Sequence, residues 1–528
     1  MINSSPAEYA FIRVCIFGLQ SIGPLGVVYA CLQWMIPALS IVPLPIKIWL
    51  WTEAIWYCVS IIWLHNFLQT PAIHPELRSK SERQALFNRV IANIDPEAVE
   101  NNIRYWFKGA LFEDIGRDGV KSWLAWAFFE GRIEKDGKND GELEGYASEL
   151  EQLLGKSFAL GNGRAGPLRL TLDRIDMSHR SLLWYFMVGF VDFLAYVRLS
   201  INGYHFHRQS YSSFFELFPL RPIALTATKR SPAKHITYWH RPHTSKTRLP
   251  MVFIHGIGIG LYPYVNFFKD LNEHVDDCKP DDDGQVGVIA VEIMAISFRL
   301  THQIMGKDEM CRELLKILDF HGFEKFVLVS HSYGSVLTTH ILRNELLQPR
   351  VDSVLLIDPV TFLLHTPDVA YNFTVRQPKA ANEWQLWYFA SQDPGVAHTL
   401  GRHFFWTDNV LWLEDLLPLV SKGMRVTVSV AGRDLIVDTE VVGKYLSRAV
   451  QSRKSGDPAL VKGPPEYVSL SASDWKQSRW QGQGLEVIWF EDTDHAQVFD
   501  TKEKRTKLVK LVRAYCNSGS YPRSGRAK

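Results

Sequence analysis

Cysteine is scarce in this sequence: six residues among 528 are too few for a disulfide framework. Three of them, Cys15, Cys31 and Cys58, fall in one apolar N-terminal stretch, where they read as small hydrophobic residues. Cysteine usage therefore leaves the redox compartment open, with a lean to the cytosolic side. Charge of one sign is lacking as well. The 58 Lys and Arg nearly cancel the 56 Asp and Glu, leaving a formal net charge of +2, so no overall field favours nucleic acid or anionic substrates. No nucleic-acid partner is expected. Internal repeats and phosphate-cradling glycine loops are also missing, which removes solenoids and the common nucleotide-binding motifs. What remains is a chain that is 46% hydrophobic and 12% aromatic, too apolar to be disordered and too long for one ordinary domain.

Charged side chains are absent from Val14 to Ile46, a stretch of 33 residues that as one helix would reach roughly 50 Å, against ~30 Å of bilayer hydrocarbon. A first span is expected from about Val14 to Met35. Pro37, Pro43 and Pro45 then break the helix and connect it to a second apolar run, Ile48 to Leu68. Glu53 lies inside that run, where a carboxyl at depth is costly unless it is near the interface or neutralised. Two spans are the leading expectation; one span with an interfacial helix, or a buried helix pair, are the alternatives. The start has neither the basic region nor the small-residue cleavage site of a signal peptide, so residues 1–70 are expected to stay as a membrane anchor. Arg78, Lys80, Arg83 and Arg89 follow it and only Arg13 precedes it. The positive-inside rule then puts the C-terminal part in the cytosol, together with both termini if there are two spans. Sequons at Asn3 and Asn372 point the other way and are set aside as chance three-residue matches. With neither an ER-retention nor a peroxisomal ending, the endoplasmic reticulum or another intracellular membrane is the default location.

Residues 71–225 read as a helical accessory region. Asp95-Pro96-Glu97 opens one helix with a cap and a first-turn proline, and Trp123, Trp126 and Ala127 stand at helical spacing between Asp118 and Glu130. Gly161-Asn162-Gly163 is a turn. Ser181 to Val197 is almost uniformly apolar, flanked by Arg180 and Arg198 and broken only by Asp192; a buried or lid helix, an interfacial helix and a third span all fit it. His205 and His207 could be a metal pair, but no third ligand is spaced with them, so they read as polar surface histidines and no metal is expected.

From about residue 226 the pattern alternates. β-rich runs at His235–Arg241, Pro250–Ile254, Val286–Ile293, Phe326–Ser330, Val354–Ile357, Val426–Val430 and Leu485–Phe490 are separated by helical runs at Asp308–Phe320, Val336–Leu347 and Glu440–Gln451. This describes an α/β domain with a mostly parallel sheet, in which reactive groups collect at the carboxyl ends of strands. Phe326 to Val329 runs into Ser330-His331-Ser332-Tyr333-Gly334 and then a helix, the strand-to-helix setting of a nucleophile elbow, which makes Ser332 the candidate nucleophile. The usual G-x-S-x-G is altered at its first glycine, here Ser330, a small residue expected to fit with some strain. His255-Gly256-Ile257-Gly258-Ile259-Gly260 follows an earlier strand, and its turn can aim amides at a developing oxyanion; the amides of Ile257 and Tyr333 are the candidates. Asp434 leaves the strand ending at Val430 and His495 leaves the one ending at Phe490. A serine hydroxyl needs an imidazole to accept its proton, and the imidazole needs a carboxylate to orient it. Asp358 and Asp438 are the rival carboxylates, with Asp434 preferred. Asp492 and Asp494 read as shaping the histidine loop, and His331 and His255 as structural.

On these motifs, in the order Ser332, Asp434, His495, residues 226–516 resemble an α/β-hydrolase, and the membrane-anchored, Trp-rich layout resembles fungal members of that superfamily. The resemblance implies an eight-stranded sheet, the Ser-Asp-His triad and no metal or organic cofactor. Over sixty residues separate Ile357 from Arg425, and in this superfamily such an insertion, here about 361–424, forms a cap over the substrate pocket. It holds Trp384, Trp387, Tyr388, Phe389, Phe404, Phe405, Trp406 and Trp412, cap-core residues of which some should face an apolar ligand. Asp393-Pro394-Gly395 and Arg402-His403 look compatible with the surface, and residues 517–528 read as a basic, disordered tail. The expectation is a membrane-anchored serine hydrolase of esterase or lipase type that acts on a hydrophobic, lipid-like ester at a bilayer. An acyltransferase with the same triad and a non-catalytic membrane scaffold are the alternatives; nothing in the sequence addresses oligomeric state.

Overall fold

The seven β-rich runs of the C-terminal half all become strands, and an eighth joins them from upstream. The computed structural model describes residues 2–36, 42–131, 140–273, 283–455 and 475–518. In chain order the strands are β1 (His205–His207), β2 (Thr237–Arg241), β3 (Met251–Ile254), β4 (Val288–Glu292), β5 (Phe326–His331), β6 (Val351–Ile357), β7 (Arg425–Ala431) and β8 (Leu485–Phe490). They lie side by side as β1-β2-β4-β3-β5-β6-β7-β8. The β1–β2 and β2–β4 pairings are antiparallel and the others are parallel. This is the α/β-hydrolase fold. β3, β4 and β5 are buried at every position, as expected of near-continuous apolar strands covered on both faces. β1 is too short to show alternation, and it carries the sheet upstream of residue 226. It also places His207 in the interior rather than at the surface, beside His240 and His321, while His205 stays exposed.

At the N-terminus α1 spans Pro6–Met35 and α2 spans Leu44–Leu68; Pro37 lies outside the described residues. α1 starts ahead of Val14 because Ser5 and Glu8 form a capping box. The two helices pack closely through glycine: a Cβ on Gly26 would come within 2.9 Å of the Leu50 carbonyl oxygen. Phe11, Val14, Phe17, Leu25, Val28 and Trp34 of α1 face outward, as do Ile48, Ile55, Val59 and Ile62 of α2. Among the described helices, α1 and Leu182–Ile201 are long and apolar enough to cross a membrane. That pair differs from the one expected, because Ile48–Leu68 does not qualify and the helix after Ser181 does.

The third apolar helix is two-faced. Trp184, Tyr185, Val188 and Leu199 are buried while Phe186, Phe190 and Phe193 are exposed, so it is not a fully buried helix. Its start explains Glu53. That carboxylate is fully buried in α2 and accepts hydrogen bonds from the Leu182 and Leu183 amides at 3.0 and 3.1 Å, capping a second helix at the end whose dipole favours negative charge. Asp192, midway along, pairs with Arg221 and Arg299 at 2.9 and 3.0 Å.

The middle region packs against the cap and shares its core. Phe87 stacks on Tyr146 with centroids 4.1 Å apart, Trp106 packs on Trp126, and Trp406 of the cap donates to the Ala127 carbonyl at 3.0 Å. Asp393 and Arg402 are buried, contrary to their surface-compatible look. Asp393 caps helix Pro394–His403, and Arg402 donates to the Thr70 and Asp173 carbonyls. The final helix runs from Lys502 through Ser518, so 517 and 518 are helical, and the rest of the expected tail lies outside the described residues.

Replacing Glu53 with Ala strips the acceptor from two amides at a partly buried helix start. The expected loss is about 1–2 kcal/mol of stability, with Glu53→Gln retaining part of it. Thermal unfolding of the detergent-solubilised protein measures this, and an unchanged midpoint would show that the cap contributes nothing.

Candidate active site

The elbow follows directly from β5. Ser332 adopts φ +51°, the left-handed conformation a sharp strand-to-helix turn requires, and its amide donates to the Ile357 carbonyl at 2.9 Å. Helix Gly334–Arg343 begins two residues later. Glycine is needed where the elbow meets β3 and its loop. A Cβ on Gly334 would lie 2.5 Å from the Ile254 carbonyl oxygen, and one on Gly256 would lie 2.6 Å from Ser332 Cβ. Ser330, in place of the usual first glycine, is accommodated by a partner: Thr338 Oγ1 donates to its Oγ at 2.8 Å, so the buried hydroxyl is satisfied.

Ser332, His495 and Asp434 come together. His495 Nε2 is 2.8 Å from Ser332 Oγ, and His495 Nδ1 is 2.7 Å from Asp434 Oδ2. An ionised carboxylate only accepts, so Nδ1 carries the proton and Nε2 is free to accept from the serine hydroxyl. Asp434 Oδ1 in turn accepts from the Ile436 and Val437 amides at 2.7 and 3.1 Å. Burial disfavours the imidazolium of His495, but the charge and hydrogen bond of Asp434, with Asp358 and Asp494 nearby, outweigh it and raise the group to about 9. The arrangement is that of a serine hydrolase.

The rival side chains have other duties. Asp358, at the end of β6, accepts from the Ala496 amide at 2.9 Å and so positions the histidine loop; burial holds its carboxyl well above the ordinary carboxylate range. Asp438 caps the helix that starts at Thr439 through the Val441 amide, and Asp492 pairs with Arg433 at the surface. Asp494 accepts from the His495 and Leu435 amides and from Asn382 Nδ2, at 2.7, 3.1 and 2.9 Å, which joins the His495 loop, the Asp434 loop and the cap. His331 bonds Tyr264 Oη through Nδ1. His255 donates from Nδ1 to the Gly256 carbonyl and accepts the Ile293 amide at Nε2. His255 is thus committed at both ring nitrogens and His331 at Nδ1.

A small apolar pocket lies over Ser332. Ile257 and Tyr333 line it beside the serine, and Val369, Phe373, Leu400 and Phe404 of the cap form its roof. Gly258 has its amide committed to the Ile296 carbonyl at 3.1 Å. Of the cap aromatics, Phe404 faces the pocket, Trp406 and Trp412 sit in the core, and Trp384, Trp387, Tyr388 and Phe389 pack around Ile12 and Ile16 of α1. Two participants carried no sequence signal. Leu170 enters the pocket wall from the middle region, and Asn382 reaches Asp494 from the cap. Both contacts are made between segments far apart in the chain, and no local pattern marks them.

Residues 250–486 match the family model described as the alpha/beta hydrolase fold. No curated protein matches the sequence. Among solved structures, the chain is similar to a membrane phospholipase A described as a bacterial virulence factor, with 12% identity, 64% of this chain and 94% of that one covered, and a TM-score of 0.38. It is similar also to a carboxylesterase from Bacillus subtilis, with 11% identity, 63% and 99% covered, and a TM-score of 0.34. A carboxylesterase from the thaumarchaeon Nitrososphaera gargenis shows 14% identity, 53% and 95% covered, and a TM-score of 0.32.

Only a neutral imidazole can take the Ser332 proton. Reactivity toward a fluorophosphonate is therefore expected to fall as pH drops below the His495 midpoint near 9 and to level off above it. Asp434→Asn removes the carboxylate charge that raises the midpoint, so the limb should move to lower pH while the plateau rate falls by about 10⁴. Rate against pH for both proteins tests this; a limb that stays in place would separate Asp434 from His495.

Proposed function

We propose that this α/β-hydrolase-fold protein is a membrane-anchored serine hydrolase that cleaves an ester bond of a hydrophobic, lipid-like substrate. Ser332 Oγ attacks the ester carbonyl carbon while His495 Nε2 takes its proton. Asp434 holds the ring in the required tautomer and balances the imidazolium. The negative charge that develops on the carbonyl oxygen is met by the amides of Ile257 and Tyr333. The alcohol departs with the proton from His495 and leaves an acyl-Ser332. Water then attacks this ester, with His495 again as base, and the acid is released. No metal or organic cofactor enters these steps.

One observation carries the substrate class: the roof of the apolar pocket above Ser332 belongs to a cap that also packs on the apolar N-terminal helices. Ile12 and Ile16 of α1 meet Ala381 and Tyr388, Arg13 lies 3.7 Å over the Trp384 ring, and Phe67 of α2 stacks on His398 at 4.2 Å. Outward apolar side chains on α1 and on Leu182–Ile201 support residence in a bilayer, and the cap contacts bring the pocket close to that side of the molecule. The basic residues after α2 support a cytosolic catalytic domain.

Fluorophosphonate labelling of detergent-extracted membranes is expected for the wild type and lost in Ser332→Ala and His495→Ala; labelling that survives both changes overturns the reading. With a series of acyl esters, kcat/KM should rise at least tenfold from acetyl to medium-chain substrates, since each buried methylene contributes about 0.8 kcal/mol. Ala370→Leu, which fills the pocket, should remove that gain while sparing the acetyl ester. When a long-chain alcohol is added, free acid should stay the main product; a new ester as the main product would make the protein a transferase. Alkaline carbonate washing should leave the chain in the membrane pellet.

A further inference from the structure

Away from Ser332, three imidazoles meet at the antiparallel edge of the sheet. The pairing sets His205 opposite His240 and His207 opposite Tyr238, so these four side chains share one face of the β1–β2 ribbon. His321, the last residue of helix Lys307–His321, closes over that face and stacks on His240 with centroids 3.7 Å apart. One ring nitrogen from each of His207, His240 and His321 falls within 4.8 Å of the other two. The Tyr238 hydroxyl stands between two of the rings, 3.0 Å from His207 Nδ1 and 2.9 Å from His321 Nε2. The outer nitrogen of His207, Nε2, is buried beside the Arg230 backbone.

Such a group is an unusual content for an interior. Burial, with the neighbouring rings and Lys229, disfavours the charged form of all three side chains. Neutral imidazoles are metal ligands, and three of them within reach of one point form a nitrogen donor set. We propose that His207, His240 and His321 bind one divalent transition-metal ion, zinc by preference, which ties edge strand β1 to β2 and to the end of the helix that leads into β5. Zinc suits nitrogen donors in a tetrahedral shell at about 2.0–2.1 Å, which sets two donors about 3.4 Å apart, so the rings, now within 4.8 Å, swing inward and the His240–His321 stack opens to complete the set. Water takes the fourth position. Tyr238 would accept the N–H of the two rings it touches and hold their tautomers, as the outer partners of metal-bound histidines do. Lys229 opposes any added cation, so binding rests on the directional nitrogen bonds rather than on local charge.

This site does not depend on the proposed hydrolase reading, and its test is separate. The full-length protein in detergent is stripped with a chelator and titrated with Co²⁺ and Zn²⁺. One Co²⁺ per chain is expected, with the visible absorption of a tetrahedral nitrogen site, displaced by Zn²⁺ and accompanied by a higher Tm. His321→Gln should weaken binding at least ~100-fold while an unchanged far-ultraviolet circular dichroism spectrum confirms that the chain is folded. His235→Ala, in the more open Glu216–His235–His302 group, should leave binding unchanged. No Co²⁺ bound by the wild type, binding undiminished in both His207→Gln and His321→Gln, or loss confined to His235→Ala would each overturn the proposal. If His321→Gln fails to fold, the wild-type Co²⁺ spectrum and stoichiometry decide alone.

Discussion

The geometry of the site rests on returning one histidine across the sheet. Ser332 leaves β5 and His495 leaves β8, three strands away, a gap of about 14 Å at ordinary strand spacing. A side chain cannot bridge that distance, so the loop after β8 must fold back over the ends of β7 and β6. Carboxylates hold it there. Asp358 at the end of β6 takes the Ala496 amide, Asp494 takes the Leu435 amide beside β7, and Asp434 takes the imidazole itself. The backbone at Ala496, φ +67°, and at Asp358, φ +43°, is bent into the left-handed region to allow it. Three buried carboxylates around one ring also explain why the imidazolium is favoured despite burial.

That loop is continuous with the rest of the molecule through Asn382. The same cap segment that bonds Asp494 packs on α1, so the apolar N-terminal helices, the cap and the histidine loop form one connected body. Glu53 shows the same economy. A carboxylate in the middle of an apolar helix is tolerated because it serves the start of another helix, and a fixed helix terminus supplies both hydrogen bonds and a favourable dipole.

Much of the site is legible in the residue pattern. The elbow could be read despite its missing glycine because a strand run, a small-Ser-small cluster and a helix run follow one another, and Asp434 and His495 each follow a complete β-rich run. What could not be read has a common cause. β1 has three residues and no periodicity to detect, so His207 looked like a surface residue until pairing with β2 turned it inward. Asp393 and Arg402 looked compatible with the surface because their partners, helix amides in one case and the Thr70 and Asp173 carbonyls in the other, are not marked in the local pattern.

By itself the sequence determined the α/β class, the strand and helix runs of the catalytic half, the apolar character of the N-terminal helices, and the residue types that meet at Ser332. These are properties of short windows, set by side-chain periodicity and turn chemistry. Tertiary structure alone decided which of several carboxylates reaches His495, which cap aromatics face the pocket, how Glu53 is satisfied, and that His207, His240 and His321 lie together. Each of those depends on distances between segments far apart in the chain, and only packing of the whole sheet and its helices sets such distances.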